Sequence, residues 1–406
     1  MLRVRPPKWP GITSATLVSS VVLCAACDTD GDIGGNAAQS TWTTQEHVKF
    51  GDFPVLEIVF SRPVVRADPA RNRVLVMDPG NSHVSAWNLR GELLFVVGRE
   101  GEGPGEFTFP QSLLVEEDGF AVVSGFGSRF TYFDADGQLV KSELGPGTQL
   151  GYQGHRVELG WPRNGVYVGL PAIPSSLVTG KEGARPFDRY PLLGIRRSDA
   201  GGWLDPEPLL MLDQRNRSTA VASRGGWAYS GQFFSDADQV RFLPGGALVT
   251  RQKGPPGAVE LIEIDGRGDT LWHRRLQFEP RKLTRRMIDE KLDVIVSSLG
   301  PYTTDITLGE LRRRYDEALY KPEYVPTAQN VFPTASGEVW LRTREIFDTL
   351  RVHYAVRRGD SKEPPRRVLL PEAVEFRDAT ATHVWGVWLD PLDVPHVVGL
   401  RLVPPG

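Results

Sequence analysis

Cysteine is nearly absent from this sequence of 406 residues. The two cysteines, Cys24 and Cys27, lie close together near the N-terminus, and no cysteine follows them. A framework of disulfide bonds, which many small secreted domains use in place of a large core, is therefore excluded for the remaining residues. We expect apolar packing and hydrogen bonds to hold the fold.

An excess of positive charge is also missing. The chain has 47 Lys and Arg residues against 50 Asp and Glu residues, which leaves a formal net charge of −3 at pH 7. Such a chain has no basic field to neutralise a phosphate backbone, so nucleic acid is not an expected partner.

The N-terminal segment lacks acidic residues and then lacks charge altogether. Met1–Pro10 carries Arg3, Arg5 and Lys8, and the apolar run Gly11–Ala26 follows with 16 residues. A membrane-spanning helix needs about 20 apolar residues, so residues 1–26 are predicted to be an export signal. A short membrane anchor that is retained is the alternative.

The end of this segment, Leu23-Cys24-Ala25-Ala26-Cys27, resembles a bacterial lipobox, with Cys24 at a position where that motif usually has Leu. The resemblance implies a lipid on Cys27, which would anchor the protein to a membrane through its acyl chains. The alternative is an incidental Cys27 after a plain cleavage site. The acidic, glycine-containing residues that follow predict a flexible tether over 27–41.

The rest of the chain contains a repeated pattern. Many turns are expected, because the sequence has 43 glycines and 32 prolines. A turn signal followed by a short apolar strand rich in β-branched and aromatic residues occurs six times, at Asn72–Asp78, Gly119–Gly125, Asn164–Leu170, Gly246–Arg251, Gly337–Thr343 and Thr382–Trp388.

The spacing of these copies indicates the architecture. The positions Val74, Ala121, Val166, Ala247, Val339 and Val384 are 47, 45, 81, 92 and 45 residues apart. Turns with Asn or Asp followed by Gly, such as Asp134–Gly137, join further strands as hairpins. Four antiparallel strands in about 45 residues form the blade of a β-propeller. We therefore predict an all-β fold, a six-bladed β-propeller over residues 42–406.

Two details of this architecture remain open. The stretch Gly225–Ser230 resembles the repeated strands and would make seven blades as the alternative. The segment Thr41–Phe60 precedes the first repeat, and we expect it to add a strand to the last blade and close the ring.

The stretch Gly98–Phe107, GREGEGPGEF, could be mistaken for a phosphate-binding loop. It has no lysine and does not open a helix, while Glu100, Glu102 and Glu106 would repel phosphate. With Pro110 behind it, it resembles the turn between blades of NHL-type six-bladed propellers. The closing residues 381–402 resemble the last blade of bacterial six-bladed propeller lipoproteins of undefined function. Together these resemblances cover residues 42–403.

Residues 281–323 interrupt the strand pattern. Leucines and isoleucines recur at helical spacing up to Leu299, and Thr307 with Glu310 predicts the capped start of a second helix. We expect a helical pair on the rim of the propeller, with the arginines of Arg312–Arg314 on a solvated face. The alternatives are a lid or docking arm, and contact with a membrane surface.

No catalytic or metal-binding signature is present. The seven histidines form neither HxH nor HExxH, and Gly-x-Ser-x-Gly does not occur, so no nucleophile is assigned. The acids Asp68, Asp78, Glu116 and Asp238 are expected to satisfy turns. The resemblance to gluconolactonase-type propellers, which hold an axial divalent ion by ligands from several blades, keeps a lactonase-like metal-dependent hydrolase, with calcium as one such ion, as the alternative function.

Aromatic and basic residues near strand starts suggest a binding site in the axial funnel. The candidates are Arg66, Arg129, Tyr152, His155, Trp161, Arg241 and Phe242. We predict an exported, lipid-anchored, monomeric binding or scaffold module of the cell envelope rather than an enzyme, with no cofactor. Its ligand would be a protein, a peptide, a carbohydrate or an acidic molecule, and the sequence does not distinguish periplasmic from surface exposure.

Overall fold

The computed structural model describes residues 41–50, 60–125, 129–145, 151–152, 155–171, 188–198, 200–223, 226–299, 306–359 and 362–405. Side chains are described for all of these except residues 151–159 and 218–230.

Six β-sheets follow one another along the chain as blades of a propeller. Blade 1 has the strands Val64–Asp68, Arg73–Asp78, His83–Asn88 and Leu93–Val97, and blade 2 has Ser112–Val115, Gly119–Ser124, Arg129–Asp134 and Leu139–Leu144. Blade 3 has five strands, Gly151–Tyr152, His155–Leu159, Val166–Pro171, Arg189–Arg196 and Glu207–Asp213. Blade 4 has Gln239–Leu243, Gly246–Arg251, Ala258–Asp265 and Thr270–Gln277.

The last two blades involve both ends of the described chain. Blade 5 has Ala328–Pro333, Glu338–Phe347, Leu350–Arg357 and Arg366–Pro371, and blade 6 has Val374–Ala379, His383–Leu389 and Pro395–Val403. The fourth strand of blade 6 is Thr41–Phe50, which pairs antiparallel with Pro395–Val403. The same strand also makes a short parallel pairing with blade 5 at Thr41 and Trp42.

The ring is closed by six apolar clusters, one between each pair of neighbouring blades. The cluster between blades 1 and 2 includes Met77 and Phe120. Four further clusters lie between blades 2 and 3, 3 and 4, 4 and 5, and 5 and 6. The sixth cluster packs Trp87 of blade 1 against Trp385 of blade 6, with Phe50 stacked between the two indoles at 5.3 and 5.9 Å. A six-bladed propeller is thus confirmed.

The six strands recognised in the sequence are the second strands of the six blades. Each is covered by apolar side chains of a neighbouring blade on both faces, and the strands of blades 1 and 2 are buried at every position. The outer strand Leu139–Leu144 is exposed at every position by contrast. Burial on both faces makes a strand apolar throughout, and for this reason the second strand gives the strongest sequence signal.

The seventh-blade alternative is wrong. Gly226–Gly231 pairs with Ser218–Ser223 in a two-stranded hairpin, so the described part of the chain has six blades of four or more strands, of which blades 5 and 6 are joined in one eight-stranded sheet. The expected closing strand is confirmed over Thr41–Phe50, whereas residues 51–59 lie outside the described residues.

The predicted helical pair is present as α1, Arg285–Leu299, and α2, Leu308–Ala318. The Thr307 hydroxyl accepts a hydrogen bond from the Glu310 N–H at 3.1 Å, which confirms the predicted cap. The short strands Arg281–Lys282 and Tyr324–Val325 pair at the base of the insertion. Its core packs Leu292, Leu311 and Tyr315 against Phe234, a residue before blade 4.

The arginines of α2 are locally neutralised. Arg312 pairs with Asp289 and Asp293 of α1, and Arg313 and Arg314 share Glu310. These contacts fit the expected solvated face rather than a docking surface of unpaired positive charge. Neither described helix has the length and apolar character needed to cross a bilayer.

Asp378, at the end of the first strand of blade 6, connects three blades. Its Oδ2 accepts a hydrogen bond from the Ala67 N–H of blade 1 at 2.9 Å. Its Oδ1 accepts from Ala335 of blade 5 at 3.0 Å and from Ala379 at 2.8 Å. Burial raises the pKa of this carboxyl, while the charge of Arg66 and the three N–H donors act in the opposite direction.

Replacement of Asp378 by Asn is expected to lower the free energy of unfolding by about 3 kcal/mol. The amide NH₂ would face backbone N–H groups, and a buried donor left without an acceptor costs about 1–3 kcal/mol. Urea unfolding of the full-length protein measures this change. The matched control is Asp136→Asn on an exposed turn, expected to stay within about 0.5 kcal/mol of the wild type. A D378N protein as stable as this control would contradict the role assigned to Asp378.

Candidate functional site

The glycine-rich stretch Gly98–Phe107 is a structural turn. The Glu106 carboxylate accepts a hydrogen bond from the Gly103 N–H at 2.8 Å and from Arg99 Nε at 2.7 Å, so the loop is filled by its own acid. The Phe107 ring is fully buried between blades 1 and 2. Gly98 has a φ of +87°, and a Cβ there would lie 2.2 Å from this ring. The turn therefore connects two blades and leaves no place for phosphate.

First strands of neighbouring blades contact one another from blade 4 through blades 5, 6 and 1 to blade 2, so these strands lie around the axis. Two predicted candidates, Arg66 and Arg241, lie on the first strands of blades 1 and 4. Arg241 Nε donates to the Val331 carbonyl of blade 5 at 2.8 Å, and its guanidinium lies 5.9 Å from the Phe332 ring centre. Burial lowers the pKa of Arg241, and the positive charge of Arg66 lowers it further.

A cavity of about 290 Å³, here named the inner pocket, lies beside Arg241. Blades 3, 4 and 5 and the segment before blade 4 line it. The polar part of its wall includes Gln214, Arg217, Gln239, Arg241, Asn330 and Arg344. Gln239, Arg241 and Asn330 lie on the first strands of blades 4 and 5, Gln214 and Arg217 belong to the segment before blade 4, and Arg344 lies on the second strand of blade 5.

Some of the polar side chains hold the wall of the inner pocket in place. Gln239 Nε2 donates to the carbonyls of Ala328 and Gln329 at 3.2 and 3.3 Å, across the junction of blades 4 and 5. Gln214 Nε2 donates to the Asp238 carbonyl at 2.8 Å. Asn330 makes no side-chain hydrogen bond with the described residues, so its amide is available to a ligand.

The other predicted candidates have different positions. Trp161 is buried, with 7% of its surface exposed, and it packs edge-on to Phe130 between blades 2 and 3. Phe242 packs between blades 3 and 4 against Gly160. Arg129 lies on the third strand of blade 2 and donates to the Glu102 carbonyl at 2.6 Å. The structure therefore places these three residues outside the wall of the inner pocket: two fill clusters between blades, and one braces a turn.

Tyr152 and His155 lie on the two inner strands of blade 3, as the funnel prediction requires. Their side chains lie outside the described residues, and their role in binding stays a prediction.

Three of the four acids noted in the sequence satisfy local groups through their carboxylates, as expected. Asp68 pairs with Arg73 at 2.8 Å, Asp78 accepts the N–H groups of Ser61 and Gly80, and Asp238 accepts the Asp213 N–H. Glu116 closes its turn through backbone hydrogen bonds with Gly119. Within the described ranges, no three His, Cys, Asp or Glu side chains are grouped to hold a metal ion. The expectation about cofactors stays a prediction.

Sequence reasoning missed Arg344, Gln239 and Asn330. Arg344 lies at the end of the second strand of blade 5, where the strand passes from its buried to its exposed half. The only local signal is the change from apolar to charged residues after Leu341, which is typical of any strand end. Proximity to the inner pocket depends on the packing of blade 5 against the segment before blade 4.

A family model described as a 6-bladed beta-propeller, DUF5128, matches residues 64–145, which form blades 1 and 2. No curated protein matches the chain. Among solved structures, a member of the DUF4221 family from Bacteroides vulgatus is 7% identical, with a TM-score of 0.42 over 90% of this chain and 99% of that one. A Bacteroides fragilis protein provisionally named as exported is 11% identical, with a TM-score of 0.41 over 89% and 99%.

The calcium-binding protein regucalcin from Agrobacterium tumefaciens is 10% identical, with a TM-score of 0.36 over 90% of this chain and 96% of that one. At such identities and TM-scores, these likenesses carry no inference about ligand or activity. The six-bladed architecture rests on the strand pairing and on the family-model match.

Proposed function

We propose that the protein is an exported β-propeller that binds a small polar ligand in the inner pocket, as a binding or scaffold module of the cell envelope. The observation that carries the proposal is the convergence of amide and guanidinium groups from blades 4 and 5 and from the segment before blade 4 on one cavity. A volume of about 290 Å³ is at the lower end of ligand pockets, which suits a monosaccharide or a dipeptide.

The free-energy cost of burying a charged side chain in the wall of the inner pocket supports a binding role over a purely structural one. Arg241 is kept in a buried place where desolvation lowers its pKa, and no carboxylate in the described part of the chain pairs with it. Burying a charge without a partner costs free energy, and apolar side chains fill the corresponding space between blades. A polar ligand that hydrogen-bonds to these groups would offset that cost.

Ligand binding is tested by calorimetric titration of the full-length protein with N-acetylglucosamine, glycylglycine and calcium chloride in turn. We expect one of the two organic probes to bind with one-to-one stoichiometry. Asn330→Ala should weaken that binding about three- to tenfold, as for loss of one neutral hydrogen bond. The control, Gln138→Ala on an exposed turn of blade 2, should bind as the wild type does.

Two results would overturn the proposal. One is the absence of binding of either organic probe up to about 10 mM, the weakest affinity that a specific pocket would show. The other is stoichiometric calcium binding without binding of either organic probe, which would favour the metal-dependent hydrolase.

Export and lipid anchoring are the second part of the proposal. They rest on the charge pattern of residues 1–26 and on Cys27, which lie outside the described residues. The described chain begins with the outer strand Thr41–Phe50 of blade 6, so a tether over 27–41 would leave the ring at its edge.

Cys27→Ser should abolish incorporation of labelled fatty acid and move the protein from the membrane fraction to the soluble fraction. Cys24→Ser is the matched control and should remain labelled, because Cys24 precedes the expected cleavage site. Membrane retention of the unlabelled C27S protein would show that another segment anchors the chain.

A further inference from the structure

Four basic side chains of α1 and blade 5 lie close enough to influence one another's charge. Lys291 belongs to α1, Arg342 and Arg344 to the second strand of blade 5, and Arg351 to its third strand. We name these four residues the basic cluster. Arg344 also lines the inner pocket, whereas the other three do not.

The aromatic pair Phe233 and Phe234 connects the two parts of the basic cluster. Arg344 donates a hydrogen bond to the Phe233 carbonyl, and its guanidinium lies 5.4 Å from the Phe234 ring centre. Lys291 Nζ lies 5.8 Å from the ring centre of Phe233. These contacts bring a cation of the helical insertion beside the cations of blade 5.

Each member of the basic cluster makes the protonated form of its neighbours less stable. Burial, together with the charges of Arg351 and Arg342, lowers the pKa of Arg344 to about 10. Burial also lowers the pKa of Arg342 and of Lys291, and the charge of Arg351 contributes in both cases. Like charges held together away from water cost free energy unless an opposite charge joins them.

Protein carboxylates do not supply enough negative charge. Glu372 pairs with Arg351 at 2.6 Å. Glu375 lies near Arg342 but holds Arg377 at 2.6 and 2.9 Å, and Glu290 of α1 pairs with Arg286 at 2.9 Å. None of the described carboxylates forms an ion pair with Lys291, Arg342 or Arg344. His353 adds no compensation, since burial lowers its pKa to about 3 and keeps it neutral.

Three N–H groups of the basic cluster also lack acceptors. The Nε atoms of Arg342, Arg344 and Arg351 are buried, and none has a hydrogen-bond partner among the described residues. Buried donors in folded proteins are nearly always paired, so three such atoms in one cluster indicate a missing acceptor. Guanidinium groups match the geometry of oxyanions, to which they donate two parallel hydrogen bonds.

We propose that the basic cluster binds an oxyanion, a phosphate group, between α1 and blade 5. The phosphate oxygens would accept from the arginine N–H groups and from Lys291, and their charge would relieve the repulsion within the cluster. Since Arg344 lines the inner pocket, the group is either a free ion or the phosphate of a larger molecule that enters from that side. The inference does not depend on the ligand of the inner pocket.

The test is calorimetric titration and thermal melting of the full-length protein with sodium phosphate, against sodium chloride at equal ionic strength. We expect phosphate to bind and to raise the melting temperature. Arg342→Gln and Lys291→Gln should each weaken phosphate binding about tenfold or more, as for loss of a charge-assisted hydrogen bond. Arg286→Gln, on an exposed part of the same helix, should leave binding unchanged.

Melting without phosphate separates the site from a simple folding defect. Because Arg342 is repelled by its neighbours, R342Q should melt at or above the wild-type temperature in chloride and should lose the increase that phosphate gives the wild type. A lower melting temperature in chloride together with unchanged phosphate binding would overturn the proposal. So would equal responses of the wild type to phosphate and to chloride.

Two further measurements identify the source of the phosphate and separate this site from the inner pocket. Binding of glycerol 3-phosphate at least as tight as that of inorganic phosphate would indicate a phosphate on a larger molecule, and the reverse order a free ion. Asn330→Ala should leave phosphate binding unchanged. If it abolished binding as R342Q is expected to do, the phosphate would belong to the inner pocket and the separate site would be refuted.

Discussion

The pairing of Thr41–Phe50 with Pro395–Val403 is the contact on which the rest of the structure depends. It completes blade 6 with a strand from the beginning of the domain and allows Phe50 to stack between Trp87 and Trp385. Without this strand, blade 6 would end in an open edge, and the cluster between the last and first blades would lose its central ring. Asp378 reinforces the same region from the inside, by accepting backbone N–H groups of blades 1, 5 and 6.

Closure of the ring separates an apolar region between the blades from a more polar region at the first strands. The space between blades is filled by the second strands and their apolar neighbours, and it holds nearly all of the large buried side chains. The first strands, by contrast, carry polar groups such as Arg66 and Arg241, which donate hydrogen bonds to backbone carbonyls. A propeller thus supplies a rigid frame and leaves recognition to a few side chains at one end of it.

The helical insertion adds side chains to the propeller that the regular blades do not supply. It packs on the segment around Phe234, beside the inner pocket, and brings Lys291 to the arginines of blade 5. The positive charges of α2 are neutralised within the helical pair, whereas in the basic cluster only Arg351 has a carboxylate partner among the described residues, Glu372. The difference separates arginines that stabilise the insertion from arginines whose partners are absent from the described chain.

The sequence by itself determined the repeated strands, the hairpin turns, the cap at Thr307 and the number of blades, because each depends on local patterns of apolar residues, glycine and hydroxyl groups. It also indicated Arg66 and Arg241 as candidates for the axial funnel, near the starts of strands. Tertiary structure decided that Trp161 and Phe242 pack between blades, since a strand residue can face the channel or a neighbouring sheet and only the packing of the blades selects one. It alone brought Lys291, more than 50 residues before Arg342 in the chain, to the basic cluster. Such a cluster has no sequence signature, because its members belong to separate elements and are joined only when the insertion folds back onto blade 5.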